Sequence, residues 1–228
     1  APIASPVFTG NVGVGVTPSA DLHLKSTTSG NPELRLEGAG AENGIITFLG
    51  GGHTNPAVGL RYISSGDSIG HLAFYANSSS SSTLTERMRI NADGIVTKPY
   101  QPAFLARGLS SVPASGSVFL FNSVTFDRTS SYSTSTGRFT APVAGVYLFT
   151  FSSMGNISDS RYMCRLYLNG SFYVQSSSSS NHGQYQDGKL SIHVNLAVSD
   201  YVHMYNAGPK VAYSTDSGEQ WFSGHLVG

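Results

Sequence analysis

The stretch Arg138–Phe151 reads RFTAPVAGVYLFTF, and from Gly145 onward it alternates with the period of a β-strand. Tyr147, Phe149 and Phe151 point one way, while Val146, Leu148 and Thr150 point the other. A strand in a half-solvated antiparallel sheet has one apolar face; here both faces are apolar. Something must therefore cover the second face. Two covers fit the pattern. Either the strand is central between two layers of one chain, or a second copy of the chain seals it. A self-assembled cover of this kind needs a large apolar interface, on the order of 2,000 Å² or more.

Strand-like runs continue outward from this stretch, at 102–108, 117–127, 138–140, 145–154, 161–169, 189–197, 200–206 and 220–227. The phase is clear in Leu190-Ser-Ile-His-Val-Asn-Leu196. Leu190, Ile192, Val194 and Leu196 face a core, and Ser191, His193 and Asn195 face out. Eight or more strands with no helical pattern predict a sandwich, jelly roll or barrel. Tyr201, His203 and Tyr205 share one face of their strand and are assigned to the same assembly surface as Tyr147, Phe149 and Phe151.

Before residue 99 the texture changes. Brief runs such as Val12–Val16, Leu22–Leu24, Leu34–Leu36, Ile45–Leu49, Leu60–Ile63, His71–Tyr75 and Arg87–Ile90 are separated by glycine-rich or serine-rich turns. Runs this short make a poor core alone but work when several chains wind or stack together. Lys98-Pro99-Tyr100-Gln101-Pro102 has two prolines in an extended, stiff connector. The expected organisation is a β-rich fibre or shaft domain over 1–98 and a globular β head over 99–228.

The 228 residues carry 13 basic and 13 acidic side chains, so the formal net charge is zero. That balance argues against an electrostatic grip on nucleic acid or anionic membrane. No run of about 18 apolar residues exists, so no membrane insertion is expected. Cys164 is the only cysteine, which rules out an intrachain disulfide; a small buried residue is the expected role. The chain opens at Ala1-Pro2 without methionine or signal peptide and reads as the C-terminal piece of a longer protein.

Within the head, Phe121, Asp127, Tyr132, Phe139, Gly145, Tyr147, Phe149 and Phe151 form a spaced series. This series, with the ending Trp221-Phe-Ser-Gly-His-Leu-Val227, resembles the globular head of complement C1q. The resemblance covers 101–228. It implies a ten-stranded jelly roll assembled as a tight homotrimer, as in the tumour-necrosis-factor relatives, with the second face of 145–151 covered by neighbouring subunits. The collagen stalk usual in animal members is missing, since residues 1–100 show no Gly-X-Y period. Instead, Pro6–Leu24 and Thr85–Val96 resemble recurrent phrases of bacteriophage tail fibres, also found in bacterial surface adhesins. That pairing implies a virion tail fibre, of the kind carried by cyanobacterial viruses, joined to upstream fibre or baseplate proteins. A secreted or surface C1q-like adhesin is the alternative, with an extracellular location.

Catalytic chemistry is not encoded in any motif. Gly10, Gly13 and Gly15 lack the strand–loop–helix context of a phosphate loop, and no Gly-x-Ser-x-Gly elbow occurs. The seven histidines show no metal-ligand spacing, and Glu33, Glu37 and Asp21 make no acid/base pair. No enzyme activity, metal or cofactor is therefore expected; a glycan-cleaving spike is the competing class, separable by release of reducing sugar. His193 and His203 are expected to approach on paired strands. Two segments, Gly170–Gly188 and Asn206–Glu219, mix Tyr with Ser, Gly and Asn, the composition of adaptable recognition loops. If successive strands run up and down, both lie at the pole opposite the C-terminus. Tyr173, Gln175, Asn181, His182, Tyr185, Tyr213 and Asp216 are the candidate contacts for a host cell-surface glycan or protein.

Overall fold

The computed structural model describes residues 12–14, 22–24, 45–48, 58–64, 70–77, 83–156, 161–179, 185–208, 215 and 218–228. The chain divides into two compact units, Ala1–Val96 and Thr97–Gly228. All regular elements among the described residues are strands.

In the first unit, β1 (Val12–Val14) and β2 (Leu22–Leu24) pair in parallel. Strands β3 (Ile45–Phe48), β4 (Val58–Ser64), β5 (Gly70–Ala76), β6 (Thr85–Ile90) and β7 (Val96–Thr97) form one sheet in chain order. Leu34–Leu36 lies outside the described residues. The turn between β6 and β7 is built by Asn91, whose Oδ1 accepts from the Asp93 and Ile95 amides at 3.1 and 2.8 Å. Gly94 follows at φ +80°, a conformation that needs no Cβ. The phrase Asn-Ala-Asp-Gly is thus turn chemistry. Ala73 is the buried apolar side chain of this unit, among the described residues, while Ile46, Val58 and Leu72 stay more than a third exposed.

The second unit is a two-layer sandwich. Its strands are β8 (Ala103–Leu109), β9 (Ser117–Val118), β10 (Phe121–Asp127), β11 (Tyr132–Ser133), β12 (Arg138–Thr140) and β13 (Gly145–Asn156). They are followed by β14 (Arg161–Leu168), β15 (Ser171–Ser179), β16 (Tyr185–Leu196), β17 (Tyr201–Asn206) and β18 (Trp221–Leu226). One sheet runs β10-β8-β18-β13-β16, the other β11-β12-β17-β14-β15, with the two-residue β9 added onto β17. The two ordered paths hold ten strands, the number that the family resemblance implies.

This arrangement answers the question posed by the two-faced strand. Strand β13 is interior to its sheet, paired with β16 on one side and β18 on the other. Tyr147, Phe149 and Phe151 are sealed inside their own chain, at 0%, 0% and 1% exposure. The expectation that these three rings meet a neighbouring subunit is therefore corrected: they are the core. Phe149 lies 5.4 Å from Phe139 and 5.8 Å from Phe222, and Phe151 lies 5.1 Å from Phe119. The opposite face is the open one, with Val146 exposed and Leu148 and Thr150 half-buried.

Every anchor of the spaced series has a structural task. Asp127 accepts the Thr129 and Tyr132 amides on its two carboxylate oxygens, at 3.2 and 2.8 Å, tying the corner between β10 and β11. Tyr132 stacks on Phe104 at 5.0 Å, and Phe139 stacks on the same ring at 5.0 Å. The Tyr147 hydroxyl donates to the Val143 carbonyl at 2.7 Å. A Cβ on Gly145 would meet Leu226 Cδ1 at 2.7 Å and the Gly228 carbonyl at 2.9 Å, which explains the glycine.

Candidate functional site

The head begins and ends at one pole. The Leu226 amide donates to the Pro102 carbonyl at 2.9 Å, Gln101 Nε2 donates to the Leu226 carbonyl at 2.7 Å, and the Val146 amide donates to Gly228 at 2.7 Å. At the far pole Asn156 pairs with Tyr185 and Arg161 with Ser179, and β17 ends at Asn206. The strand ends at Asn156, Arg161, Ser179, Tyr185 and Asn206 therefore gather at this far pole.

A belt of buried amides underlies those strand ends. Asn206 Nδ2 donates to the Pro113 carbonyl at 2.9 Å, Gln220 Nε2 donates to Met154 at 3.2 Å, and Ser178 Oγ donates to Gln186 Oε1 at 3.2 Å. These bonds satisfy the amide donors of Asn206 and Gln220 and the Gln186 oxygen, while Gln220 Oε1 has no hydrogen-bond partner.

The predicted contact residues divide between the two poles. Tyr185 is at the far pole and 46% exposed. Asn181, His182, Tyr213 and Asp216 lie outside the described residues. Tyr173 and Gln175 are exposed, but they sit on β15. The expected recognition loop Gly170–Gly188 is thus corrected: Ser171–Ser179 is a strand and Tyr185–Gly188 opens β16. Strand β15 starts beside Leu168 at the chain-entry pole, so Tyr173 is about 20 Å of strand away from Ser179. Pairing shifts between Leu166 and Tyr167, with Val174 opposite Leu166 and Phe172 opposite Tyr167, which leaves Tyr173 as the extra residue of a bulge.

Tyr201, His203 and Tyr205 do not share a surface with β13. They lie on β17, in the opposite sheet, and their partners Val202 and Met204 point into the core. The expected approach of His193 to His203 is corrected for the same reason, since β16 pairs with β13 and β17 with β14. His193 is instead brought to one side of Leu148 and His225 to the other.

On the outer face of the second sheet the rings form a continuous cluster that the sequence reading did not assemble. Tyr167 on β14 lies 5.5 Å from His203 and 4.9 Å from Tyr205, and Tyr201 stacks on His203 at 6.1 Å. Phe172 approaches Tyr167 edge-on at 6.4 Å. Arginines lie over this cluster at both sides: Arg138 is 4.0 Å from the Tyr201 centroid and Arg165 is 5.3 Å from the Phe172 centroid. Arg165 Nε also donates to Gln175 Oε1 at 2.8 Å. His203 is 94% buried in this cluster, and its Nδ1 has no hydrogen-bond partner. Burial, then the charge of Arg138, holds its pKa below the usual histidine value. The signal that could have located the cluster is the cross-strand pairing of Tyr167 with His203, which requires knowing that β14 and β17 are neighbours.

Burial pushes the Cys164 thiol up to about 12, so it is a protonated core residue rather than a nucleophile. Among the described residues, no group of three or more His, Cys, Asp and Glu side chains is placed to hold a metal. Among the described residues, no helix is long and apolar enough to cross a membrane.

Two five-stranded sheets packed face to face make a ten-stranded jelly-roll sandwich. The C1q domain profile matches residues 103–227, more than half of the chain, and the chain belongs to the C1q domain family. Among solved structures it is similar to the globular domain of zebrafish complement 1qA protein, with 20% identity, 56% of this chain and 98% of that one covered, and a TM-score of 0.46. Murine APRIL is similar at 9% identity, with 56% and 99% covered and a TM-score of 0.47. Eiger TNF from S. frugiperda is similar at 13% identity, with 56% and 93% covered and a TM-score of 0.49. No curated protein matches the chain.

Proposed function

We propose that this chain is a non-enzymatic C1q-like recognition module that acts outside the cell as a homotrimer and binds a cell-surface glycan or protein. The observation that carries the reading is the polarity of the head. Pro102 and Leu226 meet at one pole, and the strand ends at Asn156, Arg161, Ser179 and Tyr185 gather at the other. The chain therefore enters at one end and leaves the other end free for a partner. The half-open face of β13, centred on Leu148, is the surface that neighbouring copies cover.

The finer reading is the distal part of a virion tail fibre that adsorbs to a host cell. Two observations favour it: the fibre-like phrases at Pro6–Leu24 and Thr85–Val96, and the short strands of the first unit, where among the described residues Ala73 is the buried apolar side chain. Light scattering and cell adsorption test the proposal together. The native particle has three times the chain mass, and the labelled particle sediments with host cells. A monomer that adsorbs to nothing overturns it.

A further inference from the structure

The second sheet of the head has an unusual charge balance. Its strands β9, β11, β12, β14, β15 and β17 contain no aspartate or glutamate, yet they hold Arg138, Arg161 and Arg165. The first sheet is balanced, with Arg107 and Lys189 against Asp127 and Asp187. Asp200 precedes Tyr201, but its oxygens are engaged by Asn169 Nδ2 at 2.8 Å and the Ala197 amide at 2.7 Å. A protein of zero formal net charge thus concentrates positive charge on one face.

The same face carries the aromatic cluster. Phe172 is 57% exposed, and Tyr167, Tyr201 and Tyr205 are half-buried. Aromatic rings present flat apolar surface to the C–H faces of a pyranose, and neighbouring planar donors bind its oxygens. Arginine adds a fork that matches a carboxylate or a sulfate. His203 is buried among these rings, and its neutral form is favoured beside Arg138.

We infer that the outer face of the β12-β17-β14-β15 sheet is a binding platform for an acidic saccharide. The exposed Phe172 ring stacks on a sugar ring at the edge of the half-buried Tyr167 and Tyr201, and Arg138 and Arg165 bind carboxylate or sulfate groups. This rests on the recognition reading and goes beyond its free pole, by naming a second surface and its ligand class. The platform lies on the sheet opposite β13, so trimer formation through β13 leaves it open.

The test uses the whole chain and three polymers: polygalacturonate for carboxylates, dextran sulfate for sulfates, and unmodified dextran. Titration calorimetry should show binding to one or both acidic polymers and none to dextran, and the acidic polymer that binds identifies the anion. The double variant Arg138→Gln, Arg165→Gln should weaken that binding by about 100-fold, the loss of two charge-assisted contacts. Phe172→Ser, an exposed change, should weaken it by about fivefold. Lys189→Gln, on the other sheet, should leave it unchanged. Equal binding to dextran, no binding to either acid, or a double variant as tight as wild type overturns the platform. So does loss on the arginine changes with no effect of Phe172→Ser, which marks simple charge attraction. The recognition reading is judged separately by cell adsorption. If the double variant loses polymer binding but still adsorbs to cells, that reading stands and the receptor engages another surface.

Discussion

At the scale of single residues, the family series is a record of close packing rather than of chemistry. Gly224, in the terminal Phe-Ser-Gly phrase, shows why. A Cβ there would meet Phe149 at 2.5 Å and Phe104 at 2.9 Å, two rings fixed at the centre of the core. Gly224→Ala should cost about 1–3 kcal/mol of stability, the usual penalty for overpacking, read as a lowered thermal midpoint. His203 makes the second residue-scale prediction. Its pKa is depressed in the folded state by burial and by Arg138, so the unfolded chain binds a proton more readily. Its contribution to stability is complete above the ordinary value of about 6.5 and is lost as pH falls through the folded value. Melting points measured from pH 7.5 to 5 should fall less steeply for His203→Gln than for wild type. Parallel curves would show that His203 does not carry the acid sensitivity.

At the scale of elements, legibility followed alternation. Strand β13 and the Leu190–Leu196 part of β16 were readable because large apolar residues repeat at every second position, and burial follows that phase. Strand β15 was not readable. The four consecutive serines Ser176–Ser179 have weak strand preference, and the bulge at Tyr173 breaks the phase between Phe172 and Val174. Its serines suit its place: β15 is an edge strand, and short polar side chains discourage further pairing there. The eight anchors of the series were legible as a resemblance, but not which face they occupied, because alternation alone cannot distinguish a core from an interface. That ambiguity yields a direct experiment on β13. Phe149→Ala should destabilise the fold by about 3–5 kcal/mol, because it empties a site between Phe139 and Phe222. Leu148→Asp places a charge on the outward face, and should dissociate the particle by light scattering while the thermal transition of the head remains cooperative. If both variants unfold alike, the two faces of β13 do not differ in role.

For the whole molecule, the proposed assembly face and the proposed saccharide platform lie on opposite sheets of one head, so their contributions separate. A single saccharide contact on a shallow, half-exposed aromatic face is weak, and cell adsorption requires several at once. In the proposed trimer, three heads held on one particle would convert the second and third contacts into intramolecular events, raising apparent affinity by roughly 10² to 10⁴ over one head. Leu148→Asp therefore makes a joint prediction. Calorimetry with a short acidic oligosaccharide, which occupies one platform at a time, should give the wild-type affinity per chain, because Leu148 is on the other sheet. Adsorption to cells should fall by at least about 100-fold at the same chain concentration. The converse pattern belongs to Arg138→Gln with Arg165→Gln: an intact trimer that has lost the oligosaccharide. A Leu148→Asp protein that is monomeric and still adsorbs like wild type would mean that one head suffices, and that assembly serves the fibre rather than the grip.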